Sequence, residues 1–177
     1  LSGSGQPDPT LSVFLPIAEE HGLLARIDRW AVAKATHLIA ERQRAGKHTN
    51  LYLTVSREAM QDEGMPFYVG QQVNAAGIPG EQLIIAIPET KVFTNLRDAQ
   101  QFAKVLADFG TRTALSRFGA GLNSLQMLDH FVPALVKVDP QLMDDLAKNP
   151  DSQQMLKDIA NRASELGVRT IAPRVND

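Results

Sequence analysis

The feature that most constrains the fold of this chain is a regular alternation of short apolar runs with longer amphipathic segments. The runs are rich in Val, Ile and Leu and are too short for buried helices, so we interpret them as strands. Because they are apolar almost throughout, they suit a parallel sheet covered by helices, and the fold class is therefore α/β. The predicted strands span residues 50–56, 82–88, 113–116, 134–138 and 168–172.

The segments between the strands carry helical signals. Leu24, Ile27 and Ala31 recur at helical spacing at the start of a long amphipathic helix that Gly46 ends. Asn95 is placed to cap another helix, which Gly110 ends. We predict helices over 13–20, 24–45, 65–76, 96–109, 122–130, 140–147 and 152–166. Residues 1–12 are predicted to be a loop, and residues 1–177 a single domain.

Composition excludes several classes of function. The 177 residues carry a formal net charge of −2, which gives no electrostatic case for binding DNA or an anionic membrane. There is no cysteine, so disulfides, thiolate zinc sites and cysteine nucleophiles are excluded, and a reducing cytoplasm is the expected location. No apolar run reaches the roughly 18 residues of a membrane span, and no signal-peptide pattern opens the chain.

The count of predicted strands leaves two architectures open. A (β/α)₈ barrel typically needs about 250 residues, more than this chain has. Five parallel strands could instead form an open doubly wound sheet. That alternative lacks its usual support, because no glycine-rich phosphate-binding fingerprint follows any predicted strand.

Six segments together resemble the EAL-domain family, the (β/α)₈ barrels that hydrolyse cyclic di-GMP. FLPIAEEHGLLARIDRW resembles the family stretch FIPLAEETGLI…ID.W, and ALSRFGAGLNSL resembles ALDDFGTGYSSL. The other four segments are LYLTVS, LIIAIPET, LVKVD and VRTIAPRVN, which resemble VNLS, LEITES, LKID and VIAEGVE in the same order. The resemblance covers residues 13–177 and implies an EAL-type, TIM-like (β/α)₈ barrel whose first and last strands are missing from the chain.

The same resemblance implies that the family's metal chemistry is lost. Family members use carboxylate and amide oxygens to hold divalent cations that activate water. Those ligand positions fall on residues that are neutral, apolar or basic here: Thr54, Ala86, Ser116, Arg117, Pro173 and Asn176. Glu89, Lys137 and Asp139 keep the family's residue types. The expectation is a domain that binds no metal and is not an enzyme.

Within the family, the chain looks most like the degenerate FimX-type receptors of type IV pilus assembly. FGAGLNSL and the Pro173–Arg174 pair carry that likeness. It implies a non-catalytic receptor for cyclic di-GMP, with no cofactor and with a PilZ-domain protein as a possible partner. Two alternatives remain: a nucleotide-free protein-interaction scaffold, and a barrel lyase that uses Lys137 as a Schiff-base nucleophile.

The predicted ligand-binding residues are Arg174, Ser116, Arg117, Lys137, Pro173, Asn176 and Phe14. Arg174 follows the last strand, where a guanidinium either stacks on guanine and forks to phosphate or is merely solvated. For Ser116 and Arg117 the alternatives are a phosphate contact and a local turn with a salt bridge.

Lys137 lies inside an apolar strand and therefore needs a partner. We favour pairing with Asp139, two residues further on the same side, over ligand contact. Phe14 either stacks on a base or packs in the core, and we favour the core.

Overall fold

The computed structural model describes residues 9–121, 123–144 and 146–173, with side chains from residue 13 onward. Five parallel strands form one sheet in the order β1-β2-β3-β4-β5. The strands are β1 (Leu51–Thr54), β2 (Leu83–Pro88), β3 (Arg112–Phe118), β4 (Leu135–Val138) and β5 (Arg169–Ile171). Each lies where a strand is predicted, so the predicted parallel sheet is confirmed.

Strand order and the position of the helices decide between the two architectures left open by the sequence. The strands follow one another in chain order, without the reversal that a doubly wound sheet requires. The main core combines helix residues such as Ile39, Phe102 and Ile159 with the strand residues Leu83 and Ile85. A second, smaller cluster on the other face is built from strand residues. A parallel sheet whose strands follow chain order, and whose helices cover only one face, has the architecture of a (β/α) barrel wall.

The helices match most of the predicted segments but begin and end differently. Their bounds are α1 (Pro9–Glu20), α2 (Leu24–Arg44), α3 (Arg57–Gln61), α4 (Met65–Ala76), α5 (Glu89–Thr94), α6 (Leu96–Asp108), α7 (Ser124–His130) and α8 (Pro150–Glu165). The predicted loop over residues 1–12 is wrong for residues 9–12, because Pro9 starts α1, where its missing N–H costs nothing. Residues 1–8 lie outside the described part of the chain.

Two further local predictions need correction. The helix predicted over 140–147 is instead a pair of 3₁₀ turns, Pro140–Leu142 and Leu146–Lys148, in which Leu142 and Met143 donate to the carbonyls of Asp139 and Pro140. Asn95 stands at the start of α6 without capping it. Its amide donates to the Lys91 carbonyl and its Oδ1 accepts from Gln61, so the side chain is already engaged.

A bulge in β3 sets the geometry of the sheet's carboxyl end. Ala114 and Leu115 pair with Leu135 and Val136, but the next pair is Phe118 with Val138. Arg117 within the bulge has φ 54°, a left-handed conformation that no other non-glycine residue of the described segments adopts. The extra residue turns Phe118 to the helix-covered face, where it is fully buried.

Candidate ligand-binding rim

The carboxyl ends of the parallel strands bring Ser116, Arg117 and Lys137 to one edge of the sheet. Thr54 pairs in register with Ala86, and Pro88 at the end of β2 pairs with Ser116 on β3. Lys137 stands at the corresponding end of β4. In barrels of this kind ligands bind at this edge, so we call these strand ends and the residues that follow them the rim.

The rim does not offer the ligands of a divalent cation. Ala86 is fully buried and contributes a methyl group where an oxygen would be needed. Thr54 is exposed, and Ser116 supplies one neutral hydroxyl. Across the described residues, no three His, Asp or Glu side chains are grouped closely enough to hold a metal ion. Magnesium or manganese, which want several oxygen ligands, do not fit these residues.

Arg117 forms an ion pair across the strand ends with Asp139. Its Nε donates to Asp139 Oδ2 at 3.0 Å, and the Gln141 backbone N–H donates to Oδ1 at 2.9 Å. Asp139 is 1% exposed, whereas the arginine side chain is 66% exposed. The local salt bridge, one of the two alternatives for Arg117, is therefore present, and it neutralises Asp139, which keeps the family's residue type.

The predicted pair between Lys137 and Asp139 is wrong. Asp139 is occupied by Arg117, because the bulge in β3 carries the guanidinium to the end of β4. Lys137 Nζ instead lies 5.6 Å from the centroid of the Tyr52 ring. A cation above an aromatic face is attracted by the ring quadrupole, so Tyr52 is the partner that a half-buried lysine needs here.

Tyr52 is a rim residue that the sequence did not single out. Its hydroxyl and the Ser116 Oγ are both buried and lack a hydrogen-bond partner of standard geometry. Burial raises the pKa of Tyr52 to about 12, against a smaller opposing effect of the nearby Ser116 hydroxyl. The signal available in the sequence was the two-residue period of β1, which puts Tyr52 on the same face as Thr54.

Glu89 has a structural role in this chain. It is 3% exposed, and its Oε2 accepts from the Gly119 backbone N–H at 2.9 Å. Gly121 lies so close that a Cβ there would stand 3.1 Å from Glu89 Oε1. The Glu89 carboxylate thus stabilises the loop that follows β3, and this loop fixes the position of Arg117.

The remaining predicted site residues are Phe14, Pro173, Arg174 and Asn176. Phe14 is 47% exposed, so its predicted place in the core is wrong. Helix α1 buries Ala18 and leaves Val13, Phe14 and Ile17 outside. Pro173 is partly buried just beyond β5, while Arg174 and Asn176 lie outside the described residues.

No helix among the described residues is both long and apolar enough to cross a membrane.

Comparison with solved structures gives strong matches. The chain superposes on the Xanthomonas citri FimX EAL domain, solved in complex with cyclic di-GMP, with a TM-score of 0.89 and 41% identity, covering 94% of this chain and 66% of that one. The Pseudomonas aeruginosa FimX EAL domain bound to cyclic di-GMP gives 0.86 and 31%, covering 100% and 70%. The predicted TIM-barrel-like fold and the FimX-like resemblance are confirmed.

Curated relatives are more distant. Escherichia coli cyclic di-GMP phosphodiesterase PdeF is 26% identical over 98% of this chain and 23% of its own length. Bacillus subtilis signaling protein YkoW is 24% identical, over 93% of this chain and 20% of its own length. The chain therefore spans about a fifth of the length of these relatives. The EAL domain family itself matches residues 5–177. This chain belongs to the EAL domain family.

Proposed function

We propose that this chain is a receptor domain that binds cyclic di-GMP and does not hydrolyse it. The observation that carries the proposal is the rim itself, where Ala86 and Arg117 stand at positions that the resemblance equates with oxygen ligands, and Arg117 pairs with the retained Asp139, while polar and cationic groups remain. The FimX EAL domains that it resembles were solved with cyclic di-GMP bound. From the same likeness to FimX, we also propose a cytoplasmic role in type IV pilus assembly and twitching motility.

Three described rim residues can receive a phosphodiester without a metal. Ser116 offers a hydroxyl that lacks a hydrogen-bond partner of standard geometry, and Lys137 and Arg117 offer positive charge. Charge-assisted hydrogen bonds to phosphate oxygens are shorter and stronger than neutral ones. We assign the outer ligand contacts to Arg174, Asn176, Pro173 and Phe14, with the Arg174 guanidinium on guanine or phosphate.

Binding of the dinucleotide tests the proposal directly. Isothermal titration with cyclic di-GMP should show binding in the presence of a chelator, since no metal is required. Arg174→Ala should weaken binding by about 1–3 kcal/mol, the scale of one stacked or charge-assisted contact. Arg44→Ala, which removes an exposed arginine at the end of α2, is the matched control and should bind as the unchanged chain does.

Two results would contradict the proposal. Absence of binding would favour the nucleotide-free scaffold, and equal affinity of the Arg174→Ala and Arg44→Ala variants would remove Arg174 from the site. The proposed PilZ-domain partner is tested separately, by co-elution of the two proteins in size-exclusion chromatography with and without cyclic di-GMP. A partner that never co-elutes would remove that part of the proposal.

A further inference from the structure

A groove on the outer helical layer has an apolar floor, and none of the predicted ligand-binding residues lines it. It runs between α6 on one side and the segment joining α3 to α4 on the other, with a volume of about 610 Å³. Met60 and Phe102, each 2% exposed, form its floor, and Pro66 and Val105 flank them. Phe67 stands at its edge with 55% of its surface exposed. Phe67 and the half-buried Val105 therefore give the groove apolar surface that the described chain leaves uncovered.

The aromatic edge of this groove is held in place by a glycine. Phe67 meets Phe109 edge-on, with ring centroids 6.2 Å apart and an interplanar angle of 82°. The Phe109 ring lies against Gly70 of α4, where a Cβ would stand 2.4 Å from its atoms. Glycine inside a helix costs stability, and here it admits the ring that supports Phe67. The exposed phenyl group is thus part of a packed arrangement rather than a loose side chain.

The charged residues that line the groove are all acidic. Its lining includes Asp62, Glu63 and Asp98 and no Lys, Arg or His. Arg29 pairs with Asp62 at 2.7 Å and lowers the pKa of that carboxyl, so Asp62 is already neutralised in part. Glu63 and Asp98 are exposed, with a Gln61 amide as the hydrogen-bond donor to Asp98. These two carboxylates leave a negative edge beside the apolar floor.

We propose that this groove docks a cationic amphipathic segment of a partner protein. An apolar side chain of that segment packs against Phe67 and Val105, above the buried Met60 and Phe102, while its Lys or Arg residues face Glu63 and Asp98. Such an arrangement uses the helix-in-groove mode of recognition, in which apolar anchors supply contact and charges supply orientation. The inference goes beyond nucleotide reception and does not rest on it, because the groove shares no residue with the rim.

Two labelled peptides provide the probe. One is a synthetic amphipathic peptide of Leu and Lys at helical spacing, and the other carries Glu in place of every Lys. Fluorescence anisotropy should show that the chain binds the Lys peptide at least about tenfold more tightly than the Glu peptide in about 0.1 M salt. Failure to bind the Lys peptide, or equal binding of both peptides, would overturn the proposal.

Matched variants locate the binding on the groove. Glu63→Gln with Asp98→Asn should weaken binding of the Lys peptide about five- to tenfold. Its control, Glu41→Gln with Asp151→Asn, also removes one exposed Glu and one exposed Asp from a helix first turn, and should leave affinity close to its starting value. Equal weakening by both pairs would mean that only net charge matters, which would overturn the proposal.

The aromatic edge gives a second, independent comparison. Phe67→Ala should weaken binding, whereas Phe93→Ala, which removes a phenyl group that is 62% exposed elsewhere, should not. If Phe67→Ala does not fold, as judged by circular dichroism, the charge variants still decide the question. Sedimentation velocity of the chain alone completes the test. Self-association that Phe67→Ala abolishes would assign the groove to a second copy and overturn the proposal of a cationic partner.

Discussion

At the scale of single residues, Tyr52 illustrates the electrostatic environment of the rim. Its ring lies beneath the Lys137 ammonium and its hydroxyl is buried beside Ser116. A phenolate there would lose hydration on burial, so the phenol keeps its proton to higher pH than in water. The chain thus places a neutral hydroxyl and one positive charge on the inner face of the sheet.

Titration of the two tyrosines tests this description of Tyr52. Because its pKa is raised to about 12, the folded state holds a proton that the unfolded state loses near pH 10, and stability should fall between those values. Absorbance of phenolate should show a component with a midpoint near 12 that Tyr52→Phe removes. In denaturant that component should move to about 10. Loss of a component near 10 from the folded chain on Tyr52→Phe would contradict the buried hydroxyl.

The residue scale is also where sequence reasoning reached its limit. The sequence predicted Ser116 at the end of one strand and Lys137 inside another, because the apolar runs that mark these strands are clear. The partner of Asp139 was not predictable in the same way. It depends on the β3 bulge, which shifts Arg117 by one position relative to β4, and no local pattern in SRFGAG specifies that shift.

At the scale of elements, the loop after β3 is where packing is tightest. Gly119 has φ 92°, and a Cβ there would stand 2.5 Å from Leu142 Cδ1 and 2.9 Å from Ile159 Cδ1. Its N–H is bound by the buried Glu89 carboxylate. The loop is therefore held on one side by the Glu89 carboxylate and on the other by the side chains of Leu142 and Ile159.

A pair of glycine variants should separate backbone conformation from packing. Gly119→Ala should lower the free energy of unfolding by about 2–4 kcal/mol, because it adds steric overlap to a left-handed conformation. Gly22→Ala is the control, since Gly22 has φ 64° but a Cβ there meets nothing within 4 Å. That variant should cost only about 1 kcal/mol. Urea unfolding measures both, and equal losses would show that packing against Leu142 and Ile159 is unimportant.

Prediction from sequence succeeded for the elements with a strong period and failed for the short ones. The strands and the long helices α2, α4 and α6 carry enough apolar residues at regular spacing to be identified alone. Helices α3 (Arg57–Gln61) and α5 (Glu89–Thr94) have five and six residues and were not predicted. So short a helix is unstable by itself and forms because tertiary packing holds it, as Met60 and Val92 do in the core.

At the scale of the whole molecule, catalysis is a property of the complete ligand set and not of any one strand. By the resemblance of the motifs, the family's ligand positions fall on three neighbouring strands, at Thr54, Ala86 and Ser116. Thr54 is in register with Ala86, and Ser116 is in register with Pro88, two residues beyond Ala86. In this chain they meet without a carboxylate among them. A metal-bound water is the nucleophile that phosphodiester hydrolysis needs, because bulk water has a pKa of about 15.7.

Restoring one ligand should therefore not restore activity. Neither the unchanged chain nor Ala86→Glu should convert cyclic di-GMP to its linear product with magnesium or manganese, even at high protein concentration. Chromatography of the nucleotides over several hours measures this, with an active EAL phosphodiesterase as the positive control. Turnover that is lost on chelation and remains with the purified chain would contradict our assignment of the rim.

The left-handed backbone of Arg117 suits a different side chain better than it suits arginine. Asp and Asn adopt φ near 54° more readily than Arg does, and the family's motif carries Asp at this point. The loop thus keeps a shape that suits an acidic side chain although that side chain has gone. Arg117→Asn should relax the backbone but release the buried Asp139, and Asp139→Asn in the same chain would remove that penalty. The double variant, Arg117→Asn with Asp139→Asn, is therefore the best candidate for a version of this domain with a higher free energy of unfolding.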